Sequence, residues 1–108
     1  MNFKEYQEWT ERTAVYKKSC PEWSDKIAYV TLGLAGEAGE IANKVKKVLR
    51  DGNYDKHEIL NELGDVLWYL ARCCRENDTS LDIIAEMNME KLHRRLKNNT
   101  IKGSGDNR

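Results

Sequence analysis

The sequence predicts an all-α protein, a four-helix antiparallel bundle formed by a single domain. Four segments repeat apolar side chains at intervals of three and four residues, which is the spacing of one helix face. Short polar connections separate these segments, and no strand pattern or internal repeat stands out. With 108 residues and 40% hydrophobic content, the chain is long enough for one domain with a sizeable core.

The first two helices are predicted from their caps and their apolar spacing. Asn2 caps a first helix that runs to about Lys18, before Pro21 stops it. Ser24 caps a longer second helix, which ends at Asp51-Gly52-Asn53 because glycine favours the left-handed conformation of a helix end. The apolar stripe of this second helix consists of Ile27, Val30, Leu34, Ala38, Ile41, Val45 and Val48.

The third helix is predicted from a capping box. Asp55 and Glu58 have the spacing at which two side chains satisfy the free N–H groups of a helix start. The helix is expected to end near Asn77. Its apolar face consists of Ile59, Leu63, Val66, Leu67, Leu70 and Cys74.

A fourth helix and a tail complete the chain. Thr79 or Ser80 caps the helix, which runs to about Asn98. The last ten residues contain Gly-Ser-Gly and little apolar content. We therefore expect one helical domain over residues 1–98 and a flexible C-terminal tail over residues 99–108.

Composition and charge exclude several functional classes. Eighteen Lys and Arg balance eighteen Asp and Glu, so no global basic field attracts a nucleic acid polymer. No apolar run approaches the roughly 18 residues that span a membrane, and the charged N-terminal segment lacks the apolar core of a signal peptide. Three cysteines without a CxxC motif support neither a disulfide framework nor a zinc site. We expect a cytoplasmic protein that binds neither nucleic acid polymers nor membranes.

Four carboxylates border the apolar faces of the second and third helices. At about 100° per residue, Glu37 and Glu40 fall at the edge of one apolar stripe, and Glu62 and Asp65 fall beside the other. If these helices pack antiparallel, the four side chains can converge on one space. Their mutual repulsion there requires protonation or a cation. Because the donors are all oxygens, the pattern favours Mg²⁺ or Mn²⁺ over zinc.

Other interpretations of these features remain open. Each acidic motif alone has an ordinary explanation as a solvated helix face. A di-iron bundle needs two ExxH motifs, and Glu90 to His93 supplies one. Within the second helix, Gly33, Gly36 and Gly39 each cost about 0.5–1 kcal/mol relative to alanine. Close helix packing, room for a ligand or a local break would each account for them.

The acidic residues also carry a resemblance to a known family. The run Gly33-Leu34-Ala35-Gly36-Glu37-Ala38-Gly39-Glu40, followed after 21 residues by Glu62-Leu63-Gly64-Asp65, resembles the MazG-like nucleotide pyrophosphohydrolases. Their signature is ExxE, a spacer and ExxD. The resemblance covers roughly residues 3–96 and is strongest between residues 27 and 70.

The resemblance implies an all-α fold and Mg²⁺-dependent hydrolysis of nucleoside triphosphates between the α and β phosphates. The products would be a monophosphate and pyrophosphate. The four carboxylates would bind Mg²⁺, with Mn²⁺ as a substitute, and one of them, not specified, would orient or deprotonate the attacking water. These implied ligands and catalytic residues are Glu37, Glu40, Glu62 and Asp65.

Basic and polar residues nearby are candidates for substrate contacts. Lys44 follows Glu40 on nearly the same helix face, so it can contact phosphate or form a salt bridge to Glu40. In the fourth helix, Asn88 and Lys91 resemble the NxxKL segment of the family and would reach the substrate. Arg95, one turn further on, would join them or simply complement the helix dipole.

Aromatic residues supply candidates for contacts with the nucleoside. Tyr69, one turn after Asp65, lies where the resemblance places an aromatic near the sugar or base. Trp9 and Trp23 could both stack on the base, and Trp23, in the predicted loop after Pro21, is the stronger candidate. We expect Trp9 and Trp68 to be core residues, because aromatic residues at helical spacing usually are.

The resemblance also implies an assembly and a substrate class. Family members of this length are dimers or tetramers, so we expect a homodimer or homotetramer that acts on nucleoside triphosphates. The competing interpretation is a non-catalytic helical interaction module with a structural cation site. The sequence does not report the preferred base or sugar, because specificity depends on pocket walls.

Overall fold

Four α-helices follow one another along the chain in a computed structural model that describes residues 1–107. No strand occurs within these residues, so the predicted all-α class is confirmed. Within the same range, no helix is both long enough and apolar enough to cross a membrane. In chain order the helices are α1 (Phe3–Trp9), α2 (Trp23–Asp51), α3 (Lys56–Glu76) and α4 (Leu81–Lys97).

The first predicted helix is broken. α1 ends at Trp9, and two 3₁₀ turns follow at Thr10–Thr13 and Val15–Lys18. Between them, Ala14 has φ −80° and ψ 61°, which lies outside the helical region. The hydroxyls of the two threonines that bound the first turn donate to carbonyls three residues earlier, an alternative to regular helix bonding. The prediction of one helix to Lys18 is therefore wrong.

The caps of the other helices follow the sequence more closely. The Asp55 side chain accepts two main-chain N–H groups at the start of α3, and the Ser80 hydroxyl accepts one at the start of α4. Gly52 ends α2 in the left-handed conformation, with φ 74°. The expected cap at Ser24 is wrong, because α2 begins one residue earlier and Glu22 precedes it without a side-chain cap.

The buried core lies along the C-terminal half of α3. One cluster joins α3 to α2 and to the 3₁₀ turns through Val30 and Tyr16. The other joins α3 to α4 through Ala71 and Leu81. The N-terminal half of α3 and the facing part of α2 lie outside both clusters, and this leaves their acidic side chains beside open space.

Arg72 is fully buried and ties the 3₁₀ turns to α3. Its Nε donates to the Tyr16 hydroxyl at 3.1 Å, and its Nη1 donates to the Thr10 hydroxyl at 3.2 Å. Its Nη2 donates to Glu11 Oε1 at 3.0 Å. Tyr16 in turn donates to Glu76 Oε2 at 2.6 Å, and burial raises its pKa to about 12, so the hydroxyl stays a donor. The buried charge is thus paired and hydrogen-bonded.

The C-terminal segment contacts α4. Asp106 Oδ1 lies 3.3 Å from Lys91 Nζ and 3.1 Å from Arg95 Nη2. The Thr100 N–H donates to the Arg95 carbonyl at 2.7 Å. The predicted domain boundary at residue 98 and the flexibility of the tail stay predictions, and Arg108, the last residue of that tail, lies outside the described residues.

Replacing Arg72 should destabilise the fold strongly. We expect Arg72→Met to lower the free energy of unfolding by roughly 3–5 kcal/mol, because it leaves buried polar partners unsatisfied. Urea denaturation at fixed protein concentration measures this. Arg75→Met is the matched control: it also removes an ion pair with Glu11, but its side chain is 57% exposed and the expected loss is below about 1 kcal/mol. Equal losses would contradict a role for burial.

Candidate functional site

Three carboxylates meet where α2 and α3 face each other. Glu37 on α2 and Glu62 and Asp65 on α3 each offer one oxygen atom, and these atoms lie within 4.8 Å of one another. The three-residue spacing of Glu62 and Asp65 places both on one face of α3. The structure thus brings together three of the four carboxylates that the sequence places beside the apolar faces. We call Glu37, Glu62 and Asp65 the carboxylate triplet.

Glu40 lies at the edge of this triplet. It is exposed, one turn after Glu37 on α2, and outside the group of oxygens that lie within 4.8 Å. Its charge nevertheless acts on Glu37 and contributes to the raised pKa of that carboxyl. The fourth predicted ligand is therefore close to the triplet but not part of it.

The electrostatics of the triplet favour a cation. Burial raises the pKa of Glu37, and the negative charges of Asp65 and Glu62 raise it further. Three oxygen donors so close together repel one another unless one is protonated or a positive charge lies between them. The donor set contains neither sulfur nor nitrogen, so it fits a hard divalent ion such as Mg²⁺ or Mn²⁺.

The glycines of α2 have two different environments. A Cβ at Gly33 would overlap the ring of Tyr69, so glycine is required there for the close approach of that ring to α2. A Cβ at Gly36 or Gly39 would meet nothing within 4 Å. Close packing therefore accounts for the first glycine, and the other two lie beside open space. A local break is excluded because α2 is continuous.

A cavity of about 380 Å³ opens beside the carboxylates. Trp68 and Tyr69 form an edge-to-face pair in its wall, with ring centroids 4.9 Å apart. The Trp68 indole N–H donates to the Thr13 hydroxyl at 2.8 Å, which joins the first 3₁₀ turn to this wall. The cavity is lined by Trp9, Thr13, Glu37, Asp65, Trp68 and Tyr69.

Thr13 and Trp68 line the cavity but are not site candidates from the sequence alone. Trp9 is 47% exposed, so the expectation that it is a core residue is wrong, and Trp68 packs against the core while also lining the cavity. The prediction of one continuous first helix gave no reason to place Thr13 at the site, whereas the 3₁₀ turn brings it to the cavity. Tyr69 also lines the cavity, and its contact with a sugar or base stays a prediction. Burial, with a side-chain hydrogen bond to Tyr29, raises the pKa of Tyr69 to about 12. Its hydroxyl therefore stays neutral beside the acidic residues.

Trp23 lies at the far end of α2. Its indole N–H donates to the Glu76 carbonyl at 2.7 Å, at the C-terminal end of α3. Glu37 is 14 residues further along the helix, which corresponds to about 21 Å. The structure does not bring Trp23 to the carboxylates of its own chain, and its stacking on a base stays a prediction.

The candidates on α4 also lie away from the carboxylates of the same chain. Lys91 and Arg95 pair with Asp106, and Arg95 is buried. Asn88 lines a different cavity, an apolar groove on the outside of α4. The substrate contacts predicted for Asn88, Lys91 and Arg95 therefore stay predictions.

Lys44 pairs with α3 instead of with its own helix. Its Nζ lies 3.7 Å from Glu62 Oε1 and 3.8 Å from Glu58 Oε2. The salt bridge to Glu40 that the sequence offered is not among the ion pairs of residues 1–107. The phosphate contact of Lys44 stays a prediction.

The fold and the site define an all-α domain that gathers oxygen ligands between two antiparallel helices. The sequence profile of the MazG nucleotide pyrophosphohydrolase domain matches residues 26–100, so the chain belongs to the MazG family. The chain is also 47% identical over 87 residues to the Gene 37 protein of Mycobacterium phage L5, which covers 76% of this chain and 76% of that protein. No solved structure matches the chain.

A change that relieves the repulsion within the triplet should raise the thermal stability of the protein. We expect Mg²⁺ to raise the Tm of the wild type at pH 7, because a ligand at about 100 times its Kd stabilises the folded state by about 2.7 kcal/mol. Glu62→Gln should raise the Tm of the metal-free protein and reduce the response to Mg²⁺. Differential scanning calorimetry with Mg²⁺ and with EDTA measures both effects.

The control for this experiment is Glu86→Gln, which neutralises an exposed carboxylate on α4. It should leave both the metal-free Tm and the Mg²⁺ response as in the wild type. An unchanged Mg²⁺ response in Glu62→Gln would show that the ion binds elsewhere.

Proposed function

We propose that this chain is a Mg²⁺-dependent nucleoside triphosphate pyrophosphohydrolase, which cleaves NTPs or dNTPs to a monophosphate and pyrophosphate. Its role would be control of the nucleotide pool or removal of noncanonical nucleotides. One observation carries the proposal: a chain of the MazG family places Glu37, Glu62 and Asp65 within 4.8 Å of one another between two helices.

The triplet would hold the metal ion, because its three oxygens already lie close together. Mg²⁺ would be the ion, with Mn²⁺ as a substitute. When bound, the ion supplies positive charge that offsets the charge of the triphosphate and polarises its phosphoryl oxygens.

Glu40 is suited to a different task. Since it is exposed and lies outside the triplet, its carboxylate is free to accept a hydrogen bond or a proton from water. It is one helical turn from Glu37, so a water that it orients would lie near a phosphate bound at the triplet. We therefore propose Glu40 as the residue that orients or deprotonates the attacking water.

The order of features along α2 supports a direction for the bound nucleotide. The aromatic cavity lies at the level of Gly33, the carboxylates follow, and Lys44 lies beyond them. The nucleoside would occupy the cavity and contact Tyr69, because the volume of the cavity suits a small molecule. The α-phosphate would lie at the carboxylates, and the leaving pyrophosphate would extend toward Lys44.

Release of pyrophosphate tests this function. We expect release from at least one member of a panel of canonical and modified NTPs and dNTPs with Mg²⁺, and none with EDTA. Glu40→Gln should lower kcat about 10²- to 10⁴-fold, which is typical of losing a general base. Glu62→Gln should also lose activity, through weaker metal binding.

Glu86→Gln is again the matched control, and its activity should equal that of the wild type. Activity retained in Glu40→Gln would remove that residue from the mechanism, and activity in EDTA would contradict the metal requirement. A folded wild type that hydrolyses no nucleotide would favour the non-catalytic interaction module.

Exposed apolar side chains support a homo-oligomer. Leu32 is 71% exposed, Leu49 86% and Leu96 69%. The radius of gyration is 16.7 Å, against about 13 Å for a compact domain of this length. We propose a homodimer or homotetramer that covers these faces of α2 and α4. Such an assembly would also place Asn88, in the apolar groove of α4, at or near a subunit contact.

A charge placed in these faces should weaken the assembly. We expect a wild type larger than a monomer by size-exclusion chromatography with light scattering, and a shift to monomer in Leu32→Glu and Leu96→Glu, because a buried unpaired charge is costly. Val15→Glu is the control, since Val15 is also 71% exposed but lies on a 3₁₀ turn. A monomeric wild type would contradict the proposal.

The cytoplasmic location and the lack of binding to nucleic acid polymers stay predictions. The balance of eighteen basic and eighteen acidic residues supports the second of these. The substrate is therefore proposed to be a free nucleotide.

A further inference from the structure

Lys44 places a positive charge at one edge of the carboxylate triplet. Its ammonium lies between two carboxylates of α3, at 3.7 Å from Glu62 and 3.8 Å from Glu58. The Lys44 side chain is 30% exposed and that of Glu62 is 18% exposed, so salt screens this pair less than it screens a fully exposed pair. The lysine thus links α2 to α3 next to the site.

The length of this contact is informative. At 3.7 Å, the nitrogen and the oxygen are within range of a charge pair but beyond a hydrogen bond. The ammonium therefore attracts the Glu62 carboxylate without using either of its oxygens as a hydrogen-bond acceptor. The contact with Lys44 therefore does not itself occupy the oxygen that Glu62 offers to the triplet.

Glu62 needs such an attraction. Glu37 and Asp65 approach it with like charge, and this repulsion disfavours the position of its carboxylate at the triplet. We propose that Lys44 is a positioning residue that holds the Glu62 carboxylate at the triplet and so preforms the metal site. This inference rests on the metal site of the proposed function, and it assigns Lys44 a role in the absence of nucleotide.

Lys47 provides an internal comparison. It lines the same small cavity between α2 and α3 as Lys44, with a volume of about 200 Å³. Its ammonium, however, forms none of the ion pairs found among residues 1–107. Both lysines therefore bring positive charge to this cavity, but of the two Lys44 forms the ion pair with Glu62.

The direction in which Mn²⁺ affinity changes when a lysine is removed distinguishes a positioning role from a purely electrostatic one. A lysine near a cation repels it, so removing a lysine that only contributes charge should leave Mn²⁺ binding unchanged or make it tighter. Removing a lysine that positions a metal ligand should weaken binding, typically 10- to 100-fold. Measuring the affinity for Mn²⁺ alone, without nucleotide, distinguishes the two roles.

The experiment is titration of the metal-free full-length protein with Mn²⁺, followed by electron paramagnetic resonance. We expect Lys44→Met to weaken Mn²⁺ binding about tenfold or more, Lys44→Arg to restore most of the affinity, and Lys47→Met to match the wild type. Circular dichroism verifies that each variant is folded, and Lys44→Gln serves as a second variant. Excess Mg²⁺ should restore kcat in Lys44→Met, because saturation with the ion offsets weaker binding at the triplet.

Each contrary outcome has a distinct meaning. Mn²⁺ affinity in Lys44→Met equal to or tighter than in the wild type overturns the inference, and a raised KM would then assign the lysine to phosphate. A wild type that binds Mn²⁺ in a Lys44-dependent way but releases no pyrophosphate supports the inference while the proposed reaction fails. A wild type that binds no Mn²⁺ overturns both.

Discussion

The constraint on which this structure depends is the repulsion among carboxylates held between α2 and α3. Glu37, Glu62 and Asp65 lie within 4.8 Å of one another, although each would be more stable apart from the others. Helix packing elsewhere in the chain must therefore keep the two helices together. The core along the C-terminal half of α3 does this. The acidic parts of α2 and α3 extend beyond that core.

Packing and chemistry are thus separated along the same two helices. Val30 and the buried Arg72 network lie toward one end, where the 3₁₀ turns cover α3. The carboxylates and Lys44 lie toward the other end, outside both core clusters. Because Gly33 admits the ring of Tyr69, the aromatic cavity lies at the boundary between these two regions.

The sequence was sufficient to predict the parts of this arrangement that follow from local rules. The cap at Asp55, the end at Gly52 and the acidic faces of α2 and α3 depend on spacing within one helix. The break near Ala14 and the partners of Lys44 depend on contacts with residues far along the chain. Spacing within a helix does not report such contacts, so it does not predict that Thr13 lines the cavity, and it favours a core position for Trp9 that the structure contradicts.

The 3₁₀ turns on either side of Ala14 precede the part of the chain that matches the MazG family. The residues that match the MazG domain begin at position 26 and include all four carboxylates. Trp9 and Thr13, which also line the cavity, come from the stretch before it. The carboxylates and part of the cavity surface are therefore encoded in separate stretches of the chain. If the proposed function holds, changes at Trp9 and Thr13 that keep the Arg72 partners Thr10, Glu11 and Tyr16 are a route to altered substrate choice with the carboxylate cluster intact.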